Sequence, residues 1–171
     1  MPTSKPLTSL AALLASLAFG APASADPSVD LEAGGAHLTL CTPERESTFA
    51  AAISLGVGTP ISRTFEATLR GHVTIGDGFV TALGPHLRQR MSSRVFLGYG
   101  PAIASVVGAG DREMRASGIG LAADLRAGIR LGDITLAIEA LPIWVFASDS
   151  VSRGAQLDYA LEVGVALGYQ R

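Results

Sequence analysis

Beyond residue 26 the chain alternates. Over 119–131 the odd positions Ile119, Leu121, Ala123, Leu125, Ala127, Ile129 and Leu131 are apolar, while Gly120, Ala122, Asp124, Arg126, Gly128 and Arg130 between them are small or charged. Over 157–169 Leu157, Tyr159, Leu161, Val163, Val165, Leu167 and Tyr169 face Asp158, Ala160, Glu162, Gly164, Ala166 and Gly168 in the same way. Over 65–75 the sets are Phe65, Ala67, Leu69, Gly71, Val73, Ile75 and Glu66, Thr68, Arg70, His72, Thr74. A period of two puts each set on its own face of a strand, and no helical period competes after residue 26. Eight strands are predicted, over 29–40, 49–58, 64–75, 79–90, 94–107, 119–131, 134–146 and 155–170. The first is the least regular. Its apolar face changes parity near Gly34 and Gly35, which predicts a bulge.

The turns check the strands independently. Gly132 and Asp133 form a two-residue hairpin turn, so opposed positions differ in parity and the apolar face must move from odd to even. It does, at Ile134, Leu136, Ile138 and Ala140. The three-residue turn Gly76, Asp77, Gly78 preserves parity, and Phe79, Leu83 and Leu87 stay odd. These registers set Glu66 opposite Arg88 and Arg126 opposite Glu139, cross-strand charge pairs that stabilise a ladder.

Two architectures fit eight such strands: a soluble barrel with its apolar face inward, or a membrane barrel with that face on lipid and the charges in the lumen. Strands of ten or more residues match a tilted bilayer crossing, whereas soluble strands average about 5–6 residues. Long connections at 41–48, 108–118 and 147–154 alternate with short ones at 59–63, 91–93 and 132–133, as outer loops alternate with periplasmic turns; only the 76–78 turn breaks the pattern. Phe49, Phe79, Trp144, Phe146 and Tyr159 gather at one end of their strands and Phe65 and Tyr169 at the other, as in two interfacial girdles. Pro85, Pro101 and Pro142 fall inside strands of a barrel without free edges, where bulges are the expected accommodation.

The N-terminus reads as an address. Lys5 precedes an apolar run over 7–19, and Ala23, Ser24 and Ala25 give the small-x-small pattern of signal peptidase, with cleavage between Ala25 and Asp26. Residues 1–25 are therefore expected to be a signal peptide and 26–171 the barrel domain. The lone Cys41 follows no lipoprotein pattern and has no internal disulfide partner. Of 171 residues 48% are hydrophobic and 16% charged, with mean hydropathy +0.37, too apolar for a disordered chain. The net charge of −2 argues against nucleic acid as a partner.

On these features the chain resembles the small OmpA/OmpX-type eight-stranded outer-membrane barrels of Gram-negative bacteria, over all of 26–171. Glu162, Gly164, Leu167 and Tyr169 match the spacing of that family's C-terminal assembly signal, although Gln170 and Arg171 follow the aromatic that usually ends it. The resemblance implies an all-β, antiparallel, up-and-down transmembrane β-barrel in the outer membrane. Its implied partners are outer-membrane lipid and the barrel-assembly machinery. Fold alone does not carry function.

Candidate chemistry then lies in the lumen. The polar faces of the strands, even in number except after the 132–133 turn where Glu139 is odd, place Glu32, Glu66, Arg70, Arg88, Arg90, Asp124, Arg126, Arg130, Glu139, Asp158 and Glu162 there. An eight-stranded interior is just wide enough for side chains, so these charges are expected to form structural ion pairs that plug the lumen, rather than a porin-like ion path. His72 and His86 fall four positions out of register, on the order of 13 Å at ~3.3 Å per residue, too far to share a metal. No cofactor is implied. His37 and His72 are followed two residues on by Thr39 and Thr74 rather than by Ser, and both histidines are expected on the lumen side, so a lipid-modifying enzyme is disfavoured. The expectation is a non-enzymatic barrel with a structural or envelope role, or one in surface interaction through charged outer loops (Glu44, Arg45, Glu46; Asp111, Arg112, Glu113, Arg115) whose partner is unknown. The alternative is a secreted soluble barrel holding a small apolar ligand against Leu121, Leu125, Leu161 and Val165.

Overall fold

A computed structural model describes residues 27–41, 45–109, 116–150 and 159–170. It contains eight strands: β1 (Ser28–Cys41), β2 (Arg45–Pro60), β3 (Phe65–Ile75), β4 (Phe79–Arg90), β5 (Val95–Ala109), β6 (Ala116–Leu131), β7 (Ile134–Ser150) and β8 (Tyr159–Gln170). Each pairs antiparallel with its neighbours in sequence, and β1 pairs with β8 to close the barrel. Closure leaves no edge strand with unpaired backbone groups. The leader and the Ala25–Asp26 cleavage pair lie outside the described residues, as does Asp158.

Both hairpin registers follow from turn length. Glu66 pairs with Arg88 across β3–β4, and Arg126 pairs with Glu139 across β6–β7. Gly132 adopts φ +68°, the left-handed conformation a primed two-residue turn requires. Several strands run further toward the loop end than their alternation suggests: β2 begins at Arg45, β6 at Ala116, and β7 reaches Ser150. The expected loops at 41–48, 108–118 and 147–154 are thus partly strand. Past the bilayer nothing requires an apolar outer face, so the ladder outlasts the pattern.

Two expectations about irregularity need correcting. β1 carries no bulge at Gly34 and Gly35; its register with β2 and with β8 is continuous. Its parity changes because the barrel interior itself becomes apolar at that level, where Leu38 and Leu40 point inward and are buried. The prolines are not accommodated by bulges either. Leu83 pairs with Ile103 and Leu87 with Tyr99, so Pro85 stands opposite Pro101 in unshifted register and the ladder lapses between them. Gly84 and Gly100 permit this close approach: a Cβ on Gly84 would lie 2.0 Å from the Pro101 carbonyl oxygen, and one on Gly100 would lie 2.1 Å from that of Pro85. Pro142 pairs with Leu161 of β8, and the β6–β7 register around it is likewise unshifted. The register shifts fall nearer the loop end, between Val106 and Ala109 and between Ile119 and Gly120.

The outer wall is apolar. Leu31, Ile53, Leu55, Leu83, Ile103, Leu121, Ile138 and Val165 all stand half or more exposed on it. A contiguous apolar surface of this extent is a contact surface, and on a closed barrel of this strand length it is the face that meets lipid. Leu121, Leu125, Leu161 and Val165 point out of the barrel, so the soluble alternative, which needed them around an internal ligand, is excluded.

Candidate functional site

The interior has two tiers. At the loop end Leu38, Leu40, Val80, Val106, Leu141 and Ile143 pack with inward alanines into a dry cluster. Toward the turn end the inward positions become charged. Asp30 and Glu32 of β1, Glu66 and Arg70 of β3, Arg88 of β4, Asp124 and Arg126 of β6, Glu139 of β7 and Glu162 of β8 are all buried.

Small inward residues make room for the long ones. A Cβ on Gly98 would collide with the His86 ring, one on Gly128 with the Phe96 ring, and one on Gly168 with Glu32 and Thr135. Interior filling thus alternates large with small around the wall, as a narrow barrel requires.

Arg70 lies at the centre of the charged tier. Its Nη1 donates to Asp124 (2.6 Å), and its Nη2 donates to Glu32 (3.1 Å) and to Glu139. Arg126, whose side chain is wholly inaccessible, bridges Glu32, Asp30 (3.4 Å) and Glu139 (3.2 Å). Arg88 pairs with Asp30 and lies 3.5 Å from Glu66. The guanidinium carbons of Arg88 and Arg126 stand 5.1 and 5.4 Å from the centroid of the Phe96 ring, within cation–π range. Such planar forks suit convergent carboxylates because each can serve two at once.

A second branch rises from this network. The His72 ring meets Ser54 through Nδ1 (2.8 Å), and through Nε2 meets Thr74 and Glu162 (2.8 Å each). Thr74 also donates to Glu162 (2.8 Å). At the turn end Ser28 donates to Glu66, and the Gln170 amide reaches both Glu66 oxygens (3.4 and 3.3 Å). Among the described residues five buried atoms, including His86 Nε2 and Asp30 Oδ1, lack a partner; atoms of this kind are those that ordered water serves.

The charge balance differs from the sequence expectation. Arg90 is exposed at the turn-end rim. Arg130 stands beside it on the same rim, where its Nε donates to the Gly132 carbonyl (2.7 Å), so it takes no part in the lumen pairs. Both have inward parity, but they lie below the last interior acid. Asp30 joins the network instead. Asp30 shares the inward parity of Glu32 and is flanked by apolar Val29 and Leu31, so the alternation that placed Glu32 in the lumen was also the signal for it. The described interior therefore holds six carboxyl groups and three guanidiniums.

His37 also departs from expectation. It lies on the outer wall rather than in the lumen, with its ring edge-on to Phe49 at 5.0 Å and its Nδ1 3.4 Å from the Thr39 hydroxyl. In the assembly-signal segment, Leu167 and Tyr169 project outward and Glu162 is buried inside. Gly164 approaches the Gly35 carbonyl of β1, where a Cβ would lie 3.0 Å from it.

No family model matches the chain, and no curated protein matches it. Solved structures do. Neisserial surface protein A aligns at 12% identity and a TM-score of 0.52, covering 82% of this chain and 96% of that one. The attachment invasion locus protein Ail of Yersinia pestis aligns at 12% identity and 0.55, covering 84% and 98%. Its complex with the heparin analogue sucrose octasulfate aligns at 9% and 0.56, covering 85% and 99%. At such identities the likeness establishes the fold, that of the eight-stranded outer-membrane barrels.

Proposed function

We propose that this chain is an integral outer-membrane barrel with a non-enzymatic role, either in the envelope or in surface interaction through its outer loops. The lumen is closed twice, by the Arg–carboxylate network and by the apolar tier above it. The observation that carries this reading is the inside-out wall: large aliphatic side chains are exposed outside while Arg70, Arg88 and Arg126 are buried inside. Only a lipid surroundings makes both favourable. Three guanidiniums each meeting two or more carboxylates form a cross-braced network between β1, β3, β4, β6 and β7. Leu38, Val80, Val106 and Ile143 then seal the loop end against water and ions.

Two partners follow from this reading, outer-membrane lipid around the wall and the barrel-assembly machinery acting on Glu162, Gly164, Leu167 and Tyr169. Planar-bilayer recording paired with deletion of residues 110–115 tests the role. The expected result is no steady conductance in the intact protein and a loss limited to surface binding in the deletion. Steady ohmic conductance from the intact protein would instead make the interior a path and refute the closed lumen.

A further inference from the structure

The turn end of the barrel carries a one-sided crescent of arginines. Arg63, Arg90 and Arg94 are exposed, and Arg130 is half-buried beside them. Adjacent backbones tie them together: the Arg90 amide donates to the Thr64 carbonyl (2.7 Å) and the Arg130 amide to the Arg94 carbonyl (2.6 Å). Among the described residues the guanidiniums of Arg63, Arg90 and Arg94 have no partner, in contrast to the lumen arginines, each of which meets two or more carboxylates. The single acid exposed on this rim among the described residues is Asp133, beyond the crescent on the β6–β7 turn.

The two turns bearing the crescent are built alike. Residues 61–64 read Ile, Ser, Arg, Thr, and 91–94 read Met, Ser, Ser, Arg. The Ser62 hydroxyl accepts from the Thr64 and Phe65 amides (3.2 and 3.0 Å), and the Ser92 hydroxyl accepts from the Arg94 and Val95 amides at the same distances. Each turn thereby holds a fixed shape in which an apolar side chain, Ile61 or Met91, stands more than half exposed next to an arginine. Leu131 repeats the arrangement beside Arg130. A cavity of about 400 Å³ opens between Arg94 and Arg130, with Ser93, Leu131 and Gly132 completing its wall. The Nε bond to the Gly132 carbonyl aims the Arg130 guanidinium and leaves its terminal nitrogens available.

We propose that this crescent is a binding site for anionic phospholipid of the adjoining leaflet, with Arg94 and Arg130 clasping the headgroup phosphate and Ile61, Met91 and Leu131 meeting the first methylenes of the acyl chains. Guanidinium forks bind phosphate oxygens in pairs. A free phosphate compound would use the charges alone; the exposed apolar residues at the same level, continuous with the lipid-facing wall, select a ligand with both parts. The inference rests on the outer-membrane reading of the barrel.

The test titrates the folded full chain in dodecyl maltoside with phosphatidylglycerol or phosphatidylcholine of identical acyl chains, and counts bound lipid by native mass spectrometry. Each arginine near an anionic surface contributes about fivefold, so Arg94 and Arg130 together give phosphatidylglycerol a preference of about 25-fold. Combined Arg94→Gln and Arg130→Gln brings the two lipids near parity. Arg94→Gln alone, in an exposed turn that leaves folding intact, removes about fivefold. Glycerol phosphate in equal amount does not displace the lipid. Parity in the intact protein, an undiminished preference in the variants, or displacement by glycerol phosphate overturns the proposal. Insertion into phosphatidylcholine vesicles is measured alongside. A barrel that inserts but shows no preference loses this site and keeps the membrane reading, whereas a chain that inserts into no vesicle loses both.

Discussion

Replacing Arg70 by Met removes the guanidinium on which three carboxylates converge, those of Asp124 at 2.6 Å, Glu32 at 3.1 Å and Glu139. A charge pair about 4 Å apart at an effective dielectric of about 20 is worth about 4 kcal/mol before desolvation. The net loss is smaller than three such contacts, because Arg126 still touches Glu32 and Glu139 and water can enter the vacated space. Loss of one partner from a buried ion network costs about 3–5 kcal/mol, which is the expected destabilisation. The assay is reversible urea unfolding of the barrel refolded into vesicles, scored by the mobility of unboiled samples. Arg70→Lys keeps the charge but loses the fork and falls between. Arg90→Gln, exposed at the rim, stays within about 0.5 kcal/mol of the parent. A loss below about 1 kcal/mol for Arg70→Met, the scale of a solvated surface pair, would refute the cohesive network.

Further outcomes follow from packing. Gly84→Val places a side chain against the Pro101 carbonyl, within 2.0 Å of where its Cβ would sit, and prevents closure, so the heat-dependent mobility shift disappears. Gly35→Ala meets nothing within 4 Å and keeps the shift. Gln170→Ala removes the amide that covers Glu66 (3.3 Å) and lowers the urea midpoint by about 1 kcal/mol equivalent. Leu38→Asp sets an unpaired carboxylate among Val80, Val106 and Ile143 and costs at least about 3 kcal/mol in the same unfolding assay.

How far the sequence could be read depends on which physical rule each segment obeys. Turn length and parity determine register, so the Glu66–Arg88 and Arg126–Glu139 oppositions were legible without coordinates. Alternation works where the inner face is polar and the outer apolar. It loses meaning in the upper half of β1, where Leu38 and Leu40 face inward and His37 faces out, and a change of lining there mimics a bulge. Asp30, by contrast, lies where alternation still holds, two positions before Glu32 and between Val29 and Leu31, and was legible from the same parity. Arg90 and Arg130 show the opposite limit: parity gives direction but not depth, and a residue at a strand terminus reaches the rim rather than the lumen. The facing prolines could not be placed because the β4–β5 register depends on the 91–94 turn, whose serine-held bend carries no glycine or asparagine signature. Pairings among Arg70, Glu32, Asp124 and Glu139 join strands that are not neighbours, and no pattern along the chain encodes them.

The most direct test of the inside-out wall uses Trp144, the only tryptophan in the chain. It lies on β7, 53% exposed on the outer face, with its ring set edge-on to Tyr159 at 5.9 Å. Reconstituted into vesicles of brominated lipid, its fluorescence is predicted to be strongly quenched, while aqueous iodide has little effect. Quenching by iodide with none from the brominated chains would put the apolar face out of contact with lipid and contradict the account.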